Sequence, residues 1–405
     1  MKPIDRRRFL GMAGKSALGL ACGDLALSSA RACAETGKDT KLNFVFILID
    51  DMGWADSACY GSTFYQTPNL DKLASQGMRF TDAYAAAPVC SPTRASVMTG
   101  KYPARLHLTN FLVGRFVPEN SRILPPDYRL ELPLEEVTIP EALKPAGYVS
   151  AHIGKWHLGD EPYYPQHQGF DLNVGGSHIG MPRDFFYPEW GDKPPIDGRH
   201  GEYLTDRLTE EAENFIEKNR DKPFFLHLAH YAVHVPIQAK KDIIKKYQSR
   251  LKPGNVHDNT VYAAMIESVD ESVGRVMKKL EDLGIADRTV VIFTSDNGGL
   301  SVKEGDFKHT PATSNAPLRA GKGYLYEGGI REPMIVRWPT EIEPGSVCDV
   351  AVTSVDFFPT ILEMAGIEPD PGNPVDGVSL VPLLNQTGPL DREAIFWHYP
   401  HFSNQ

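Results

Sequence analysis

Several short segments of this chain carry residues whose types and spacing suit chemistry. Asp50 and Asp51 follow an apolar run, Asn43–Ile49, and Asp296 and Asn297 follow another at 289–294. Three carboxylates and one amide are hard oxygen donors, suited to Ca²⁺ or Mg²⁺ rather than to a soft metal. A single Asp or Asn after a strand equally caps a helix or closes a turn. Adjacent acids repel, however, and need a reason to sit together. Gly298 and Gly299 would let backbone approach a ligand closely. Cys90 and Arg94 are four residues apart, one helical turn, with Pro92 between them. Proline suits a first helical turn, which would put Cys90 at an end that favours anions. A lone Cys otherwise serves as a small buried hydrophobe. Lys155 and His157 are two apart near a strand end, so both can face one side. His230 and His234 have the spacing of a metal pair on a helix, but Val233, Val235 and Pro236 argue against a helix and so against zinc. Lys322 sits between Gly321 and Gly323, in a loop or a simple turn.

Elements must bring these segments together. Continuous apolar runs at 43–49, 148–153, 223–229 and 289–294 read as strands covered on both faces, with another strand beginning at 334–337. Helical periodicity covers 68–76, 138–144, 203–218 and 260–283, with Thr138 as an N-cap. Strand, loop and helix alternate. The expected fold is therefore α/β, a large mainly parallel sheet sandwiched by helices. Such sheets bind ligands at the carboxyl ends of their strands, where the candidate residues lie.

The 405 residues carry a net charge of −10, which argues against a nucleic-acid partner. Five Cys are too few for a disulfide scaffold. Residues 1–34 differ from the rest: six basic residues stand against Asp5 and Asp24, a net of +4, which leaves −14 for the remainder. Arg6, Arg7, Arg8, Phe9 and Leu10, followed by an Ala-, Gly- and Leu-rich stretch, resemble a twin-arginine export signal. This reading makes the protein periplasmic or secreted, with the twin-arginine machinery as a partner. Gly19 disfavours a lipoprotein anchor on Cys22. Cys59, Cys90 and Cys348 would remain, and a bridge between Cys59 and Cys348 stays open.

Residues 90–101, CSPTRASVMTGK, closely resemble the signature of the type I, formylglycine-dependent sulfatases, arylsulfatase-like members of the alkaline phosphatase superfamily. Other matches stand in the same order: Asp50 to Gly53, Gly154 to Gly159 (GKWHLG), Ser295 to Gly298, Gly321 to Gly323, and 326–333 (YEGGIREP). The resemblance runs from about residue 42 onward and implies a catalytic domain over 35–385. Phe396 to His401 resemble the opening of the family's C-terminal antiparallel subdomain, so 386–405 is expected to be its start and most of it to be missing.

The resemblance also implies roles. Cys90 would be oxidised to formylglycine by a generating maturase. The hydrated aldehyde attacks sulfur with one oxygen, and the second hydroxyl later expels the sulfate. Asp50, Asp51, Asp296 and Asn297, with modified Cys90, would hold one divalent cation, Ca²⁺ ahead of Mg²⁺. Arg94 balances charge, Lys155 contacts sulfate, His157 assists elimination, His234 serves as leaving-group acid in preference to His230, and Lys322 steadies the leaving oxygen. Ser177, His178 and Arg319 are candidate substrate contacts. Residues 306–309, with Leu318, would line the pocket beside Arg319. The aromatic stretch 185–190 is either a sugar-stacking platform or a hydrophobic plug. The implied substrate is a sulfated small molecule or glycan. Two rival readings share these residues: a phosphate mono- or diester hydrolase, and an inactive sulfated-glycan binder.

Overall fold

The computed structural model describes residues 41–114, 122–301 and 311–401. The expected export signal and residues 306–309 lie outside the described residues. The described strands form one sheet: β1 (Asn43–Ile49), β2 (Met78–Tyr84), β3 (Val149–Gly154), β4 (Leu172–Val174), β5 (Phe224–Ala229), β6 (Thr289–Ser295), β7 (Arg331–Arg337), β8 (Ser346–Cys348) and β9 (Val352–Thr353). Their order is β4-β3-β5-β1-β6-β7-β2-β8, with β9 beside β2. The helices are α1 (Pro68–Ser75), α2 (Cys90–Thr99), α3 (Pro103–Leu106), α4 (Ile139–Leu143), α5 (Leu204–Lys218), α6 (Lys241–Gln248), α7 (Thr260–Asp282), α8 (Glu327–Ile330), α9 (Phe357–Met364) and α10 (Val381–Leu384).

β1, β5 and β6 are buried along their whole length, as continuous apolar runs require when both faces are covered. Alternate residues of β1 divide between two cores. Val45, Ile47 and Ile49 pack with α1, α5, α6 and α7. Phe44, Phe46 and Leu48 pack with α2, α4, α9 and α10. The sheet is thus mostly parallel and flanked by helices on both faces.

Several elements differ from the sequence expectation, β7 and β2 among them. β7 begins at Arg331 rather than near Met334, and it runs antiparallel to both β6 and β2. β2 carries no continuous apolar run. Its buried residues Met78, Phe80 and Ala83 are separated by half-buried Arg79, Thr81 and Asp82, and its register against β7 shifts between Phe80 and Ala83. The aromatic stretch is a plug: Phe185 and Trp190 are fully buried and Phe186 packs on Tyr203. Cys59, Cys90 and Cys348 are all free thiols, so the Cys59–Cys348 bridge does not form.

A buried polar network ties the loop after β1 to the loop before α8. Asp56 accepts hydrogen bonds from Gly53 N (2.9 Å), Tyr262 Oη (2.6 Å) and Thr313 Oγ1 (2.8 Å). Tyr262 Oη also reaches the Asp51 carbonyl at 3.2 Å. Asn315 continues the network, binding both N and O of Gly299 and the Ala320 carbonyl. Asp56→Ala would strand several buried donors, each worth about 1–3 kcal/mol. We expect a loss of about 3 kcal/mol in denaturant unfolding for this variant, against a change below about 0.5 kcal/mol for an exposed control such as Lys252→Ala.

Candidate active site

Four consecutive strands, β3, β5, β1 and β6, are mutually parallel, so their carboxyl ends share one edge of the sheet. Lys155, His234, Asp50 and Asp296 follow those ends. Antiparallel β7 starts at the same edge, which brings Lys322, in the loop before it, to the cluster. Asp51 has φ 62°, a left-handed backbone that an Asp side chain tolerates. That break stops Asp50 and Asp51 from pointing to opposite faces as strand neighbours do.

Three acids meet three cations here. Lys155 Nζ lies 2.7 Å from Asp50 Oδ2. Arg94 Nε and Nη2 lie 2.9 and 2.8 Å from Asp296 Oδ2. Lys322 Nζ lies 2.7 and 2.8 Å from the two Asp51 oxygens. Burial raises the Asp50 carboxyl well above the usual range, with Asp296 and Asp51 adding to the push against Lys155. Burial also acts on Asp51, but Lys322 and His234 outweigh it and hold that carboxyl below the usual range. Burial works against the Lys322 charge, yet Asp51 raises its affinity for the proton overall.

Cys90 is the first residue of α2, and Arg94 follows one turn later. Cys90 Sγ lies 3.4 Å from His157 Nδ1. His157 Nε2 faces the Leu112 carbonyl at 2.6 Å, and a carbonyl only accepts. Burial and Lys155 keep the ring neutral. The proton therefore sits on Nε2, and the Nδ1 lone pair faces residue 90. His234 has the mirror arrangement: Nδ1 donates to the Val235 carbonyl at 2.9 Å, and burial with Lys322 disfavours the imidazolium. Its Nε2 lone pair points toward Asp51 Oδ2, 3.6 Å away.

The structure brings Asp50, Asp51, Cys90, Arg94, Lys155, His157, His234, Asp296, Asn297 and Lys322 into this one cluster. A cavity of about 730 Å³ opens onto Asp51, Cys90, His157, His234 and Lys322. Arg94 and Lys155 are buried beneath it. His178 lines the cavity, with Nδ1 2.7 Å from Tyr164 Oη. Ser177 does not line it: its carbonyl receives His157 N and its Oγ receives Ile179 N, because the chain turns there to seat His157. Arg319 is also outside the lining, since its guanidinium stacks on Tyr326, 3.7 Å from the ring centroid. His230 turns away to Ser272 Oγ at 2.9 Å. Gly298 packs on backbone, not on an open ligand position: a Cβ there would meet the Gly328 carbonyl at 1.9 Å.

Sequence reasoning passed over Gly180. A Cβ on it would lie 2.5–2.9 Å from the His157 ring, so only glycine leaves that imidazole in place. Neither Gly180 nor the Leu112 carbonyl belongs to a motif, and both reach His157 across long sequence separations.

The donor set fits a divalent cation. Among the described residues, Asp50 Oδ1 and Asn297 Oδ1 are buried without a hydrogen-bond partner, each at a cost of about 1–3 kcal/mol. Asn297 Nδ2 donates to Asp51 Oδ1 at 2.7 Å, which leaves Asn297 Oδ1 as the free acceptor. Among the described residues, ligand atoms of Asp50, Asp51 and His234 lie within 4.8 Å of one another. Oxygen donors dominate this set, as Ca²⁺ or Mg²⁺ requires.

Comparison with known proteins identifies the family. Residues 42–367 match the profile of the Sulfatase family. Human N-acetylgalactosamine-6-sulfatase is 35% identical over 372 residues, covering 88% of this chain and 68% of that protein. A Formosa agariphila protein described as a sulfatase is 32% identical over 449 residues, covering 93% of this chain and 79% of its own length. Among solved structures, Ps i-CgsB in complex with k-i-k-neocarrahexaose superposes with a TM-score of 0.72 at 32% identity, covering 86% of this chain and 77% of the other.

A divalent cation held by the orphaned oxygens would stabilise the fold, and calcium is the first to try. At 100 times the dissociation constant the gain is about 2.7 kcal/mol. We expect the chelated protein to unfold at lower denaturant, CaCl₂ to restore the midpoint, and Asn297→Ala to respond much less. An equal calcium response in Asn297→Ala would remove that residue from the ligand set.

Proposed function

This chain belongs to the sulfatase family and is a sulfuric ester hydrolase, and from that premise we propose that it desulfates carbohydrates with a formylglycine made from Cys90 and one divalent cation, Ca²⁺ ahead of Mg²⁺. One observation carries the reading: Cys90 Sγ faces the bare Nδ1 of neutral His157 at 3.4 Å, beside the cavity and one helical turn from Arg94. Formylglycine would supply a geminal diol, one hydroxyl as nucleophile and one as the exit for sulfate. The cation, held by Asp50, Asp51, Asp296 and Asn297, would supply charge for a developing oxyanion.

The chain's own residues do the rest. His157 Nδ1 takes a proton from the residue-90 side chain, and the Leu112 carbonyl keeps that nitrogen free to do so. Arg94 and the first turn of α2 favour negative charge at residue 90. Lys322 stays charged and balances the leaving oxygen. His234 must gain a proton on Nε2 before it can donate one. Burial and Lys322 oppose that gain, and Asp51 favours it. An anionic sulfate ester beside the ring adds to Asp51, so substrate binding itself arms the acid.

The relative from humans is named for N-acetylgalactosamine 6-sulfate, and the Ps i-CgsB structure holds a neocarrahexaose. These names support a sugar substrate. The twin-arginine-type leader supports action in the periplasm or outside the cell, with the maturase acting before export.

Two kinetic tests follow. Cys90→Ala should retain the fold and lose sulfate release entirely; retained turnover would exclude residue 90 as nucleophile. His234→Gln should lose about 10²–10⁴ in kcat for a sugar sulfate, whose alkoxide leaving group needs a proton. It should lose much less for 4-nitrophenyl sulfate, whose phenolate leaves unaided. Equal losses for both substrates would contradict the acid role.

A further inference from the structure

The same cavity extends beyond the reacting groups. Its wall continues through Ile179, Met181 and Pro182 to Arg183 and Lys193. Gly180 packs on the His157 ring, and Arg183 is three residues further on, at most about 11 Å along the chain. Arg183 N donates to the Lys193 carbonyl at 3.1 Å, so the two residues lie side by side along the backbone. The loop that carries them is anchored. Phe185 and Trp190 are buried, Trp190 Nε1 donates to Ile196 O at 2.8 Å, and Gln238 ties Phe185 N to Asp184.

The two ends of the cavity differ in how charge is matched. Near Cys90 each cation is bound to an aspartate. At the outer end Arg183 has Asp192 at 3.2 Å, and Lys193 has no carboxylate partner among the described residues. An unmatched cation against an apolar wall, on a chain of net charge −10, suits an anionic group delivered by the ligand. Among the described residues no hydrogen bond or ion pair joins either side chain to the cluster around Cys90, so an anion they hold belongs to another part of the ligand than the ester being cleaved.

We propose that Lys193 and Arg183 form a subsite for a second anionic group, a carboxylate or another sulfate, on the sugar next to the one being desulfated. The preferred substrate is then a polyanionic saccharide. This rests on the sulfatase reading and deepens it.

The test compares kcat/KM for three probes: a sulfated hexosamine–hexuronate disaccharide, a disulfated hexosamine–hexose disaccharide, and a singly sulfated hexosamine–hexose disaccharide. The wild type should prefer an acidic probe to the neutral-neighbour one. That preference should fall about threefold to fivefold in Lys193→Ala and in Arg183→Ala, mainly through KM, and further in Lys193→Glu. It should also shrink as salt is raised. The acidic probe whose advantage falls identifies the group, carboxylate or sulfate. A preference untouched by all three substitutions, or a wild type that favours the neutral-neighbour probe, overturns the subsite. Turnover of 4-nitrophenyl sulfate by the wild type checks the underlying reading separately. Were no sulfate ester cleaved, calorimetric titration of the same disaccharides into Cys90→Ala protein decides: weaker binding of an acidic probe on adding Lys193→Ala keeps the subsite, and equal binding ends it.

Discussion

Asp50, Asp51 and Asp296 are buried together at one edge of the sheet, and Lys155, Arg94 and Lys322 meet them at 2.7–2.9 Å. Burying this many like charges is tolerable only with matched, hydrogen-bonded partners. The matching is nevertheless incomplete. Among the described residues Asp50 Oδ1 and Asn297 Oδ1 have no hydrogen-bond partner, and Asp50 is pushed toward its protonated form. A site with three carboxyl groups and three cations can accept a divalent cation and an anionic ester together with little change in net charge. That balance explains why acids and cations are interleaved instead of segregated.

The topology follows from the same need. Parallel strands are the arrangement that delivers several carboxyl ends to one edge, and β3, β5, β1 and β6 do so side by side. The antiparallel β7 then brings the Lys322 loop to that edge from the other direction. Asp56 and Asn315 stitch this loop to the segment after β1, so the acid pair and its cation are held as one unit. Glycine allows the tight contacts: Gly298 against Gly328, and Gly180 against His157.

Much of this was legible from the residues alone. Buried strands announce themselves as unbroken apolar runs, and strand-end acids stand out because adjacent carboxylates are costly. The direction of β7 was not legible, since an apolar run carries no sign of which way it pairs. Ser177 and Arg319 looked like pocket residues by position, but a backbone turn and a tyrosine ring take up their contacts. The 185–190 aromatics left two readings open, and burial decides for the plug. Histidine tautomers depend on carbonyls supplied by distant or irregular backbone, such as Leu112, which no motif marks.

The central claim is that residue 90 is the reacting group, presented to a neutral imidazole in a charge-balanced pocket. Its most direct test is the mass of the proteolytic peptide containing residue 90, from protein made alongside a formylglycine-generating maturase and active on a sulfate ester. The account predicts a peptide lighter by the difference between a thiol and an aldehyde side chain. An intact thiol in fully active protein would contradict it.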